Sequence, residues 1–309
     1  MSGLCTARYP IEHHFAAGML PDNIFALIDT HTHFDVAEFD ADRAAQAALA
    51  YRQGVRHLLI IGVMAAGFSR MLTCQHQLTA LILQGAPSPK AHVAFGLHPF
   101  YITEHTQQDL QILENFIQNH APVAVGEIGL DTYTDTMKLA ENYARQQDFF
   151  VAQLDLASRY RLPVLLHIRR AHGDTLKILK AQKFQQGGIA HSFSGGIQEA
   201  KSLVAMGFKI GVTGQVTNPN AKKLRQTLTD LVKTAGLESL VIETDCPDFT
   251  PVPCHVSHGR RNVPANLGYV LDELCLLLQV EKAELAAQLW QNSCAGLQVD
   301  WQNPQYSIH

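Results

Sequence analysis

The chain has 309 residues, 47% hydrophobic and 17% charged, which is enough apolar material for one large core or two ordinary ones. A formal net charge of −4 argues against a basic domain that grips nucleic-acid backbones indiscriminately. It leaves room for an enzyme that holds nucleic acid locally, through metal ions and a few arginines.

The N-terminal stretch carries Glu12, His13 and His14 in place of an uninterrupted apolar run, so it does not read as a secretory signal. No segment has the length and apolarity to span a membrane. Cysteines at positions 5, 74, 246, 254, 275 and 294 form no Cys-x-x-Cys pair and read as reduced thiols of a cytoplasmic protein. No obligate protein partner is evident. Residues 1–26, broken by Pro10, Gly18 and Pro21, read as an N-terminal extension without assigned function.

From Leu27 onward a short apolar run alternates with a longer amphipathic segment. Strands are expected near 27–31, 56–62, 92–97, 122–127, 163–168, 188–192, 208–213 and 239–244. They are rich in Val, Ile and Leu without strict alternation, as parallel strands buried on both faces are. Helices are expected over 40–53, 139–160, 173–184, 196–206, 219–235, 264–279 and 281–295, and Gly54, Pro122, Pro163, Gly187, Gly207 and Gly236 punctuate the joints. This is an α/β pattern, and eight strands in alternation with helices predict a TIM (β/α)8 barrel. It forms a single domain over 27–300, followed by a tail at 301–309. The competing architecture is an open doubly wound sheet with an added subdomain.

The ends of the expected strands favour the barrel. The first strand ends in His31 and His33, a pair that shares one face of an extended chain. The fourth ends at Glu127, the fifth at His167, the sixth at His191 and the eighth at Glu243-Thr244-Asp245. Only a closed ring sets the ends of the first and eighth strands side by side. Imidazole nitrogen with carboxylate oxygen suits Zn²⁺, Mn²⁺ or Fe²⁺. Any one of these residues alone reads equally as a hydrogen-bonded core histidine or a capping carboxylate. Four histidines with Glu127 and Asp245 exceed what one tetrahedral catalytic ion needs, and match two ions that share a bridging carboxylate.

Seven motifs fall in order: Asp29-Thr-His-Thr-His33, Gly96-Leu-His-Pro99, Gly126-Glu-Ile-Gly-Leu-Asp131, His167-Ile-Arg169, His191-Ser-Phe-Ser-Gly195, Glu243-Thr-Asp245 and Arg261-Asn262. On these the chain, from about Ile28 to Leu297, resembles the TatD family of metal-dependent hydrolases, within the amidohydrolase-like barrels. The resemblance implies a deoxyribonuclease with two divalent ions per chain (Zn, Mn or Mg) and DNA as substrate. By motif position, His31, His33 and Asp245 would hold one ion, His167 and His191 the other, and Glu127 would bridge them. Asp245 and Glu127 would be the catalytic carboxylates, with Asp245 orienting and deprotonating the attacking water. Cys246, Ser192 and the 250–260 loop depart from the usual family pattern and bear on substrate choice.

Arg169 and His98 are candidate phosphate contacts, each balanced by a plain reading as a surface ion pair or a turn histidine. Asn262 joins them through its motif. Lys222, Lys223, Arg225, Arg260 and Arg261 lie where they could line a groove or simply be solvated. Phe193 reads as a base-stacking or a core aromatic, and Cys254 with His258 is a weak metal-binding spacing. The alternatives in function are an amide or ester hydrolase on the same site, such as an aminoacyl-tRNA deacylase, and a non-catalytic metal-binding barrel.

Overall fold

The computed structural model describes residues 24–255 and 261–304. The extension expected over 1–26 and the position of His258 lie largely or wholly outside these residues. Eight parallel strands form one sheet in sequence order. They are β1 (Leu27–Thr32), β2 (Val55–Ile61), β3 (Lys90–Phe95), β4 (Ala124–Asp131), β5 (Val164–Arg169), β6 (Gly188–Ala190), β7 (Phe208–Val212) and β8 (Leu240–Ile242). Each is paired in parallel with the next.

The ring closes where β8 meets β1, by bonds that involve the motif residues themselves. Asp245 N–H donates to the His31 carbonyl at 2.9 Å, and His33 N–H donates to the Cys246 carbonyl at 2.8 Å. Lower down, the Thr30 hydroxyl donates to the Ile242 carbonyl at 3.2 Å. This is a nearly closed TIM barrel, as the alternation predicts.

The helices that connect the strands are α1 (Arg43–Arg52), α2 (Phe68–Leu83), α3 (Gln107–His120), α4 (Asp135–Lys138), α5 (Ala140–Tyr160), α6 (His172–Ala181), α7 (Ile197–Ala205), α8 (Lys222–Ala235), α9 (Leu267–Leu278) and α10 (Lys282–Leu297). The sequence pattern did not single out α2 and α3. Each shows only a narrow apolar stripe: Phe68, Met71, Cys74 and Leu78 on one, Leu113 and Ile117 on the other. The polar majority around those stripes faces solvent and blurs the period.

Side chains alternate between two cores. Ile28, Leu59, Ile61, Ala94, Ala124, Leu165, Ile189 and Val241 cluster inside the barrel, while Leu58, Ile60, Val93, Val125 and Leu166 join the layer under the helices. At strand ends, buried glutamines of α5 complete the backbone bonding. Gln153 accepts from Leu97 N–H (2.7 Å) and donates to its carbonyl (3.2 Å). Gln146 does the same for Asp131, at 2.8 and 3.0 Å. The exits of β3 and β4 into the rim loops are therefore pinned by side chains of α5, in β4 together with its pairing to β5 through Asp131.

The N-terminal end of the barrel is closed by Trp290 of α10 and by Trp301. The Trp290 indole N–H donates to the Trp301 carbonyl at 2.8 Å. His57 and His92 stack on the Trp301 ring at 4.3 and 4.0 Å, and His57 Nδ1 lies 2.9 Å from His92 Nε2. Burial pushes these imidazoles down to about 4 and about 3, so they are neutral packing groups at physiological pH. They account for two of the histidines with no reference to metal. Trp290 is almost fully buried. Trp290→Ala is expected to cost about 3–5 kcal/mol of stability, read as a lower urea midpoint, while metal binding at the opposite end is retained.

Candidate metal centre

The C-terminal ends of the strands bring His31, His33, Glu127, His167, His191 and Asp245 together. Glu127 is nearly fully buried and turns its two oxygens to different histidines. Oε2 lies 3.2 Å from His31 Nε2, and Oε1 lies 2.7 Å from His167 Nδ1. Asp245 spans the centre in the same way. Its Oδ1 is 3.5 Å from His33 Nε2 and 3.7 Å from His31 Nε2, and its Oδ2 is 3.2 Å from His191 Nε2. The His31 and His191 rings stack at 3.5 Å.

Backbone curvature makes this convergence possible. Gly129 sits at φ +144°, and a Cβ there would fall 2.1 Å from the His167 carbonyl oxygen, so glycine is required for β4 to run against β5 between Glu127 and Asp131. Ser192 and Asp245 take left-handed φ values of 42° and 54° just past the short strands β6 and β8. These strands end earlier than the sequence implied because the backbone turns there to present His191 and Asp245.

Carboxylates outside the expected ligand set fix which ring nitrogen faces the centre. Asp131 Oδ2 is 2.9 Å from His167 Nε2, and Asp131 Oδ1 accepts from Tyr133 N–H at 2.7 Å, which leaves His167 Nδ1 turned inward. Glu243 Oε1 is 2.9 Å from His191 Nδ1 and accepts from Ser192 N–H at 2.6 Å, and Glu243 Oε2 accepts from the Thr30 hydroxyl at 3.1 Å. His191 Nε2 therefore points inward. Asp29 ties β1 to β8, accepting from Thr244 N–H (2.9 Å) and the Thr244 hydroxyl (2.6 Å). Burial pushes its carboxyl up to about 8 despite those bonds. Asp131, Glu243 and Asp29 fall inside the sequence motifs, but nothing in their residue type alone assigns them a role. Each stands two or four residues from a ligand, the one signal that marks it.

The electrostatics are those of a cation site. Burial pushes Glu127 upward, but the surrounding histidines, His98 and His31 foremost, hold it well below the usual carboxylate range. Asp245 is likewise depressed against its burial, chiefly by His191. Burial pushes His167 down, yet Glu127 and Asp131 outweigh it and raise the ring to about 9. His191 is raised by Glu243 and Asp245 in the same way, again against its burial. The carboxylates demand positive charge at this spot, and protons or metal ions can provide it.

The donor set fits a divalent metal. Ligand atoms of His31, His33 and Glu127 lie within 4.8 Å of one another, as do those of His31, His191 and Glu243, and of His98, Glu127 and His167. His31 Nε2 is within ion-pair distance of Glu127, yet neither ring nitrogen of the fully buried His31 makes a well-aligned hydrogen bond. A buried lone pair aimed into shared space without a donor is what a metal ligand requires.

His98 differs from the other histidines. Its Nδ1 accepts from Phe100 N–H at 3.0 Å, and burial, with His167 alongside, pushes the ring down to about 4. A neutral imidazole whose Nδ1 accepts carries its proton on Nε2, which lies 3.5 Å from Glu127 Oε1. His98 is thus a donor at the edge of the centre.

Arg169 reaches the rim, where its guanidinium lies 3.5 Å over the Tyr133 ring. Asn262 does not reach the centre. It is fully buried, donates to the Thr244 carbonyl at 2.9 Å and accepts from Val263 N–H and Asn266 Nδ2, both at 2.9 Å. Its role is to hold the turn after β8, and expecting a substrate contact from it mistook motif membership for exposure. Arg225 pairs with Glu273 and Arg261 with Asp42, so neither is a free groove cation. Phe193 is buried against His172 and belongs to the core.

The profile of the family described as TatD related DNase matches residues 28–298. This chain belongs to the TatD family. It is 35% identical over 272 residues to the "Uncharacterized metal-dependent hydrolase YjjV" of Escherichia coli K12, covering 87% of this chain and 97% of that one. It is 30% identical over 268 residues to the "Uncharacterized metal-dependent hydrolase YabD" of Bacillus subtilis, covering 86% and 97%. The crystal structure of the E. coli TatD homolog YjjV superposes with a TM-score of 0.78 at 34% identity, over 89% of this chain and 98% of that one. The E. coli phosphotriesterase homology protein, crystallised with phosphate in its active site, shares the fold at a TM-score of 0.61 and 14% identity, over 90% and 99%. The chain is therefore a metal-dependent hydrolase of the TatD family on a TIM barrel, and among the described residues no helix is long and apolar enough to cross a membrane.

Two measurements test this TatD-family centre. Glu243→Gln should weaken metal affinity roughly 10- to 100-fold, read by competition with a chromophoric chelator. Unchanged affinity would reduce Glu243 to a barrel-closing role. Because His167 holds its proton up to about 9 without metal, loading at pH 7 must expel protons, and apparent affinity should rise as pH goes from 7 to 9. Calorimetry in buffers of different ionisation enthalpy reads the proton release directly.

Proposed function

We propose that this TatD-family protein is a deoxyribonuclease that hydrolyses phosphodiesters with two divalent ions. The observation that carries the reading is Glu127: a buried carboxylate whose two oxygens face His31 on one side and His167 on the other, as a bridging ligand must. His31, His33 and Asp245 would hold one ion, and His167 and His191 the other. Bound divalent ions supply Lewis-acid chemistry, which acidifies water toward neutrality and offsets charge on a phosphoryl group.

The chain's own groups do the rest. Asp245, at the junction of both histidine sets, orients the attacking water and takes its proton. His98 offers its Nε2–H to a phosphate oxygen, and its Nδ1 bond to Phe100 keeps that proton on the nitrogen that faces the centre. Asp131 and Glu243 hold His167 and His191 in register. Arg169 lies near enough to the rim to meet the flanking phosphate.

The test is hydrolysis of an end-labelled single-stranded DNA oligomer by chelator-stripped protein, before and after adding Mg²⁺, Mn²⁺ or Zn²⁺. Stepwise shortening only with metal is the expected result. Failure under every ion, with metal still bound, would replace the nuclease with an amide or ester hydrolase. At saturating metal, Asp245→Asn should lower turnover roughly 10²- to 10⁴-fold with the fold intact by circular dichroism. Near-wild-type turnover would remove Asp245 from proton transfer.

A further inference from the structure

Beyond the metal centre, the rim carries a second constellation. Among the described residues, the exposed aromatic side chains are Phe100, Tyr133 and Phe249, and all three stand on loops that follow strands at the metal end of the barrel. Tyr133 is the one furnished with charge. The Arg169 guanidinium lies 3.5 Å over its ring and the Arg170 guanidinium 4.8 Å away.

Both arginines are exposed, and among the described residues neither forms a salt bridge; Asp131, the cross-strand partner of Arg169, lies within electrostatic reach of that guanidinium, and Arg170 meets no carboxylate there. Arg170 has no carboxylate partner among the described residues and Arg169 shares only an Asp131 already engaged by His167 and Tyr133 N–H, so two guanidinium groups on an exposed ring keep capacity for an anion from outside.

The cluster is held in place rather than left to float. Thr132 N–H donates to the Arg169 carbonyl at 3.0 Å, and the Thr132 hydroxyl donates to the Arg170 carbonyl at 3.1 Å. Tyr133 N–H donates to Asp131, whose other oxygen is 2.9 Å from His167. One carboxylate therefore links the ring to an inward-facing histidine. A flat ligand face laid on Tyr133 and an anion caught by the arginines would be fixed relative to the metal centre.

We infer that Tyr133 and Arg170, braced by Arg169, form a binding site for a nucleotide next to the scissile phosphate: the base stacks on the aromatic–guanidinium platform, and its backbone phosphate pairs with Arg170. The inference rests on the phosphodiesterase reading above and adds a preference for single strands. A duplex keeps its base faces covered by neighbouring pairs, while a single strand can lay one on the ring. Stacking of this kind tolerates any base, so the site selects strandedness rather than sequence.

The probe is a short, hydrolysis-resistant phosphorothioate oligodeoxythymidylate, followed by fluorescence anisotropy with the metal-loaded protein. Tyr133→Leu and Arg170→Gln should each weaken its binding about tenfold, and Tyr133→Trp should restore it. Tyr133 is 44% exposed, so these changes leave the core intact. The selectivity of kcat/KM for oligodeoxythymidylate over a nitrophenyl phosphodiester, which has no base, should fall by the same factor. Binding in both variants equal to wild type, or equal binding of single strand and duplex, overturns the platform. A wild type that hydrolyses the nitrophenyl diester but does not bind the oligomer also overturns the platform, and leaves the phosphodiesterase reading standing. A wild type that binds the single strand yet cleaves no diester under any ion overturns the phosphodiesterase reading and leaves the platform standing.

Discussion

A buried carboxylate that keeps its charge needs countercharge close on every side, because the loss of its hydration alone costs several kcal/mol. Glu127 is nearly fully buried and still held well below the usual carboxylate range. His31, His98 and His167 surround it, and Asp245 occupies a matching position across the centre. The geometry of the whole rim follows from that requirement. The ends of five strands, β1, β4, β5, β6 and β8, deliver nitrogens or oxygens to one small volume, and a divalent ion can satisfy the carboxylates there in place of protons.

Convergence of this kind depends on closing the ring. The bonds that join β8 to β1 run through His31, His33, Asp245 and Cys246, so the contacts that finish the barrel also set the ligands. Asp29 and Thr244 fasten the same seam from beneath. Fold stability and site geometry are therefore coupled at the seam. At the far end, the aromatic floor of Trp290 and Trp301, with the neutral pair His57 and His92, supports the barrel with no share in the chemistry. Division of a barrel into a stability face and a chemical face is general for this architecture.

Orientation at the centre comes from carboxylates outside the expected ligand set. His167 and His191 present opposite ring nitrogens, Nδ1 and Nε2, because Asp131 and Glu243 hold the other nitrogen of each. Such partners fix the tautomer and raise the basicity of a ligating imidazole. His98 is governed by a backbone N–H instead, which makes it a donor among acceptors. Three kinds of role thus arise from one residue type, separated only by what binds the second nitrogen.

The sequence by itself determined the alternation of strands and helices, the barrel and the placing of six candidate ligands at strand ends, which the fold brings to one rim. Those follow from residue type and from position at a strand end, both of which are local. It missed α2 and α3, whose apolar stripes are too narrow to stand out. It also set Asn262 at the substrate, although the amide is buried under the turn after β8. Only the tertiary structure decided which nitrogen of each histidine faces inward and that Asp131 and Glu243 enforce the choice. It alone placed Arg169 on Tyr133 while Arg225 and Arg261 went to internal carboxylates. These outcomes depend on partners brought together from different strands and loops, and no local pattern encodes the direction in which a side chain meets them.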